Sequence, residues 1–310
     1  MPVNHFDQAS RFAAKFDPRA FLGWLLGLPP DGFMFREWLD TRDLPFPGGT
    51  DRASDTVAHV ADITRNRVPW AVAIEFQTKP DPEMFGRMLG YLSGLWLNRK
   101  PDAGRGSRFH LGAAVVNLTG NGSASREMTW PAAGLHTQLN VVERNLEHES
   151  GADLLEGLEA GRWSRALLPW LPLMVGGDKS DMIDRWKALA DGEPDTRRKA
   201  EFAGIALVFA EKAGRKDIWE QKLEGWNMEE STVVNAWIAK GEARGEARGK
   251  EIGTMEAARA SILRLGTKKF GPVSQEVREV IEAIQDRARL ESLLEHVLDA
   301  TDWADLIATA

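Results

Sequence analysis

Apolar residues recur at helical spacing near the start of the chain. Phe12, Phe16, Phe21, Leu22, Leu25 and Leu26 form a stripe that predicts helix from about Phe6 to Leu28. Asp17-Pro18 predicts a second helix start, with Asp17 as N-cap and Pro18 in the first turn. Pro29-Pro30 predicts its stop. The segment Phe33 to Leu44 is compatible with a strand leading into the turn PFPGGTD. The period then changes to two. Ser54 to Ile63 and Pro69 to Lys79 read as paired strands around the turn TRNRV. In the second strand Trp70, Val72, Ile74 and Phe76 share one face, and Ala71, Ala73, Glu75, Gln77 and Lys79 share the other. Bulky residues on the first face predict core. Small residues on the second leave room for something to pack above it.

That something is predicted to be the next helix, Glu83 to Asn98. Its apolar face is Phe85, Met88, Leu89, Leu92, Leu95 and Trp96. Arg87 and Tyr91 lie one turn apart on it and would be brought towards Glu75. Asp81 is placed to help cap this helix or to pair with Arg87. Phe109 to Leu118 reads as a buried strand, and Gln138 to Leu146 as another. This order predicts an α/β sandwich with a mixed sheet over residues 1–150.

After Ser150 the pattern is helical, giving an expected helical extension at 151–240. Glycines 241, 245, 249 and 253 then recur every fourth residue in KGEARGEARGKEIG. Residues 241–254 read either as a helix with a glycine stripe or as a charged linker. Residues 255–310 read as a small helical module, with stripes at Val277, Val280, Ile281 and Ile284 and at Leu290, Leu293, Leu294, Val297 and Leu298. So short a stretch is marginal as an independent core and is expected to pack or self-associate.

Composition narrows the chemistry. The chain has 310 residues, no cysteine and a formal net charge of −7. Without cysteine there is no disulfide, thiol nucleophile or thiolate-bound zinc. The acidic balance argues against a broad basic face wrapping DNA, but leaves room for a local basic groove. No apolar run is long enough to span a membrane, and the first residues lack the apolar segment of a secretory signal. A cytoplasmic protein without membrane contact is therefore expected.

The best candidate chemistry lies between Asp55 and Tyr91. Phosphodiester hydrolysis at neutral pH uses a divalent ion to make the nucleophile and offset charge, and a hard ion takes oxygen ligands. Asp55 and Glu75 can supply carboxylates, and the Phe76 carbonyl a further oxygen, if the strands are adjacent and both side chains face the same way. Their carboxylates would then lie within about 5 Å of each other. Otherwise they are solvated strand-end residues. Elsewhere, GGDKS at 176–180 lacks the order of a phosphate loop, EHE at 147–149 reads as a solvated segment, and the histidines lack zinc spacing.

The layout Asp55, Glu75-x-Gln77 and Arg87-Met88-x-x-Tyr91, carried by IEFQTKPDPEMFGRMLGY, resembles the PD-(D/E)XK nuclease superfamily. Within it, the chain is most similar to the recombination-promoting nuclease (Rpn), or transposase-like, family. The glycine repeat and ILRLGTKKFGPVSQEVREVI also resemble the C-terminal region of those proteins. The resemblance implies a Mg²⁺- or Mn²⁺-dependent DNA endonuclease, with Asp55 and Glu75 as catalytic metal ligands. Gln77 would stand where the superfamily usually carries lysine. A neutral amide can orient the attacking water but cannot accept its proton. Lys79 either supplies the missing positive charge or is a solvated strand-end residue. Arg87 and Tyr91 would bind substrate, Asp7 is a candidate further acid on the first helix, and the C-terminal helices would form a homodimer. The alternative implied by Gln77 and the net acidity is a catalytically inactive binding or assembly module on the same fold.

Overall fold

The structure is a computed structural model and describes residues 5–29, 31–41, 56–101, 108–228 and 231–308; side chains at 232–234, 236–249 and 251–252 are outside the description. The chain forms two compact units, Met1–Asn235 and Ala236–Ala310.

In the first unit, helices α1 (His5–Phe16) and α2 (Pro18–Leu26) meet at Asp17. The Asp17 carboxylate accepts the Ala20 N–H at 3.0 Å, and Pro18 opens α2, where its missing N–H costs nothing. The stop comes earlier than the proline pair. Gly27 adopts φ 65°, and the Leu28 N–H reaches back to the Gly23 carbonyl at 2.9 Å.

Strands β1 (Phe33–Trp38), β2 (Thr56–Asp62) and β3 (Val68–Gln77) form an antiparallel meander. Asn66 and Arg67, both at positive φ, turn the chain from β2 to β3. Helix α3 (Met84–Asn98) crosses to β4 (His110–Asn117), which pairs parallel with β3. A separate hairpin of β5 (Arg126–Trp130) and β6 (Leu135–Leu139) precedes β7 (Val142–Asn145), parallel to β4. The sheet order is β1-β2-β3-β4-β7, a mixed sheet flanked by helices. The single strand expected over Gln138 to Leu146 is divided between the end of β6 and β7, because its two halves pair with different partners.

The two faces of β3 are filled as the alternation predicts. Ala71 and Ala73, with Val57, Ala113 and Val115, lie under Met84, Met88, Tyr91 and Leu95 of α3. Alanines there let the helix sit close to the sheet. On the opposite face, Phe76 and Phe21 stack on Trp170 with ring centroids 6.0 and 5.8 Å away. Trp170 is fully buried in a 3-10 segment, Arg165–Leu173, and also meets Phe209 at 4.9 Å. Phe209 belongs to α6 (Thr196–Lys212), which with α4 (Gly151–Glu159), α5 (Ser180–Asp191) and α7 (Lys216–Lys222) completes this layer. Residues 151–235 thus fall in the same unit as the sheet.

Helix α8 (Thr232–Phe270), which belongs to the second unit from Ala236 on, runs as one helix through the glycine repeat, so that stretch is helical rather than an open linker. Helices α9 (Gln275–Ala283), α10 (Arg287–His296) and α11 (Trp303–Ala308) gather Ile281, Ile284, Leu290, Leu293, Val297 and Leu306 around Ile262. Gly266 permits the closest approach: a Cβ there would lie 2.2 Å from the Trp303 ring. Among the described residues no helix is long and apolar enough to cross a membrane.

Candidate active site

Glu75 lies near the C-terminal end of β3, on the face that α3 covers, and is only 3% exposed. A buried carboxylate is costly unless its charge is met. Arg87, in the first turn of α3, meets it: Nη2 donates to Glu75 Oε1. The same guanidinium donates through Nη1 to Asp81 Oδ2 at 2.9 Å and through Nη2 to the Tyr91 hydroxyl at 3.1 Å. Gln77 Nε2 donates to Glu75 Oε1 at 3.1 Å. Asp81 also fixes the helix entry, since its Oδ1 accepts the Glu83 N–H at 2.8 Å. Burial works against the Arg87 charge, but the Glu75 carboxylate and the bonds to Tyr91 and Asp81 outweigh it. The net effect holds the guanidinium above its ordinary value.

Four of the sequence-selected residues, Glu75, Gln77, Arg87 and Tyr91, are therefore in direct contact. Lys79 is not part of that cluster. The β3 ladder ends at Gln77, whose carbonyl accepts the Leu118 N–H at 2.8 Å, and Lys79 lies exposed in the bend beyond. The expectation of a strand reaching Lys79, and with it a shared face for Glu75, Gln77 and Lys79, therefore stops at Gln77. Asp7 is joined to Arg11 within α1 at 2.6 Å. Asp55 lies outside the described residues. Thr56, the first described residue of β2, pairs with Ile74, which immediately precedes Glu75.

Strand register adds residues that the sequence reading did not select. Glu75, Val115 and Glu143 are aligned across β3, β4 and β7, and so are Gln77, Asn117 and Asn145. Asn117 is buried and donates to Asn145 Oδ1 at 2.8 Å, which also accepts the Gly122 N–H at 2.9 Å. Glu143 accepts the Ala124 N–H, and Glu147 accepts the Gly120 N–H at 2.5 Å. Alternate residues of the β7 segment thus fasten alternate amides of the loop after β4. Burial pushes the Glu143 carboxyl up, against the opposing Ala124 N–H and the Arg126 charge. The one signal available in the sequence was Asn117, a polar residue at the end of the apolar run AAVV.

The donor chemistry here is hard oxygen: the Glu75 carboxylate, the Gln77 amide and the backbone carbonyls beside them. Such a set suits Mg²⁺ or Mn²⁺ better than zinc. Among the described residues no group of three or more His, Asp or Glu side chains could hold a metal ion. No family model, no curated protein and no solved structure matches this chain. The site must be read from its own geometry.

Proposed function

We propose that the first unit is a Mg²⁺- or Mn²⁺-dependent endodeoxyribonuclease of PD-(D/E)XK type, similar to the Rpn family and acting in the cytoplasm on DNA, in recombination or mobile-element maintenance. The observation that carries this reading is the convergence of Glu75 and Gln77 with Arg87 and Tyr91 from the helix that follows. The order of elements supports it too: helix, antiparallel meander, crossover helix and parallel fourth strand, with the acidic residue on the third strand.

In this reading Asp55 and Glu75 hold the metal. Bound there, a divalent ion supplies a lowered pKa for its water and charge neutralisation at the phosphate. Gln77 holds Glu75 through its amide N–H and orients the attacking water. Arg87 holds Glu75 and Asp81 in place and presents positive charge to a phosphate. Tyr91 fixes the Arg87 guanidinium. Lys79 supplies positive charge from beyond the strand end. The C-terminal helices form a homodimer, the symmetry that suits paired cuts on a duplex.

A second reading is favoured by one detail. Arg87 and Gln77 both donate to the same oxygen of Glu75, which is how a purely structural ion pair is built. The fold would then serve as a binding or assembly module. Calorimetric titration with Mn²⁺ separates the two. Saturable binding by the wild type that is lost in Asp55→Asn and in Glu75→Gln supports the nuclease. Equal heats in all three proteins support the module.

A further inference from the structure

The β5–β6 hairpin is an arm with a sheet of its own. Arg126 lies opposite Leu139, Met128 opposite Thr137 and Trp130 opposite Leu135. Pro131–Ala133 and Gly134, at φ 69°, close its tip. Cross-strand partners share a face, so Arg126, Met128 and Trp130 line up beside Leu139, Thr137 and Leu135. The other face is polar, with His136 and Glu127 3.6 Å apart on it. The arm is therefore amphipathic, yet its apolar face is in water. Met128, Trp130 and Leu135 are 51, 64 and 58% exposed. Leu139, at the root, packs on the core beneath α3.

A two-stranded ribbon is marginal in water until its apolar face is covered. The order of residues along that face says what covers it. Arg126 stands at the root, Met128 in the middle and Trp130 towards the tip. A second arm laid antiparallel and face to face about Met128 sets each Arg126 over the partner's Trp130, and each Leu135 against the partner's Leu139. A guanidinium over an indole ring is a favourable contact, strengthened as water leaves. Each contact then occurs twice, as a two-fold axis requires. The two Arg126 charges fall at opposite ends of the pair, whereas a parallel arrangement would stack them on each other. A nucleic-acid strand asks for several cations, and this face carries one.

We infer that the β5–β6 arm docks antiparallel on the same arm of a second copy of this chain, with Arg126 on the partner's Trp130 and Met128 on the two-fold axis. The contact does not draw on the nuclease reading. It joins copies through the first unit, at a place other than the C-terminal helices, so the two contacts are separable.

The chain has no cysteine, so an introduced thiol reports on one place. Met128→Cys puts a thiol on the axis, and Thr129→Cys puts one on the opposite face of the same strand. With a short bismaleimide, Met128→Cys is expected to give about tenfold more linked dimer than Thr129→Cys, because docking raises the effective concentration at one face only. Sedimentation equilibrium of the full chain reads the contact without a linker. Trp130→Ser should weaken association by about thirtyfold, the loss for an aromatic anchor. Arg126→Glu, which sets an anion over the partner's ring, should weaken it too. Both side chains are exposed in the single chain, so the circular dichroism of the variants should match the wild type. Where the C-terminal helices also join copies, the same substitutions should leave a dimer in place of larger species. Equal linking at the two thiol positions overturns the inference. So does a wild-type association constant in both Trp130→Ser and Arg126→Glu, or a wild type that stays monomeric.

Discussion

Arg87 ties the candidate site together, because one guanidinium answers two carboxylates and a phenol. Arg87→Met keeps much of the stem but leaves the Glu75 charge buried without its cation. Breaking a buried pair in this way costs about 3 kcal/mol or more. Urea denaturation should show that loss, and Glu75→Gln in the same background should recover much of it. A cost below about 1 kcal/mol, the range of exposed pairs, would mean that Glu75 is well solvated. Glu143 gives a prediction in pH. Its folded carboxyl titrates above the ordinary value of 4.5, so between the two values the folded state binds more protons than the unfolded one. Its contribution to stability is present below about 4.5 and is lost as pH rises through the folded value. Glu143→Gln, whose amide oxygen can still accept the Ala124 N–H, should flatten that decline; parallel stability curves would contradict it. At this scale the sequence was informative where a short period governs. Glu75 and Gln77 follow from strand alternation, and Arg87 with Tyr91 from one helical turn. Lys79 was placed on the same face although alternation holds only to the last ladder bond, at Gln77. Asn117, Glu143 and Asn145 escaped because the register between strands 28 residues apart is a tertiary property.

Helix α3 lies close on the sheet because Ala71 and Ala73 are small. Ala73 is fully buried beneath it, opposite Val57 of β2. Ala73→Leu should force the helix outward, at about 1–3 kcal/mol in a thermal or urea melt. It should also move Arg87 away from Glu75, and on the nuclease reading Mn²⁺ affinity should then fall even under folding conditions. A substitution tolerated in both measurements would mean that α3 is not held by this contact. Most elements were legible from local chemistry. The Asp17-Pro18 pair marks the start of α2 through a cap that needs no distant partner. The end of α2 was misplaced because a left-handed glycine closes a helix before a proline is reached. Strand β5 and the first part of β6 went unread because the hairpin is almost wholly exposed and so carries little of the apolar alternation that a buried face imposes. The glycine repeat left helix and linker open, since glycine's low propensity opposes a spacing of four; the backbone there is helical.

At the scale of the molecule, the contacts cross the change of pattern at Ser150. The pattern becomes helical after Ser150, yet Trp170 from beyond that point stacks on Phe21 and Phe76 and joins both parts into one unit. A change of local pattern reports element type, not which surfaces meet. Net charge acts at the same scale. On the nuclease reading, a net charge of −7 means that DNA affinity comes from a few local cations such as Arg87 and Lys79, and the slope of log K against log salt should be correspondingly small, about −0.9 for each phosphate contact. The most direct measurement is cleavage of supercoiled plasmid with Mg²⁺ or Mn²⁺ by the wild type, Asp55→Ala and Glu75→Ala. The nuclease account predicts nicked and linear product from the wild type, none in EDTA, and at least a hundredfold less from either variant. Equal cleavage by all three proteins, or a wild type that leaves the plasmid supercoiled with either ion, would contradict it.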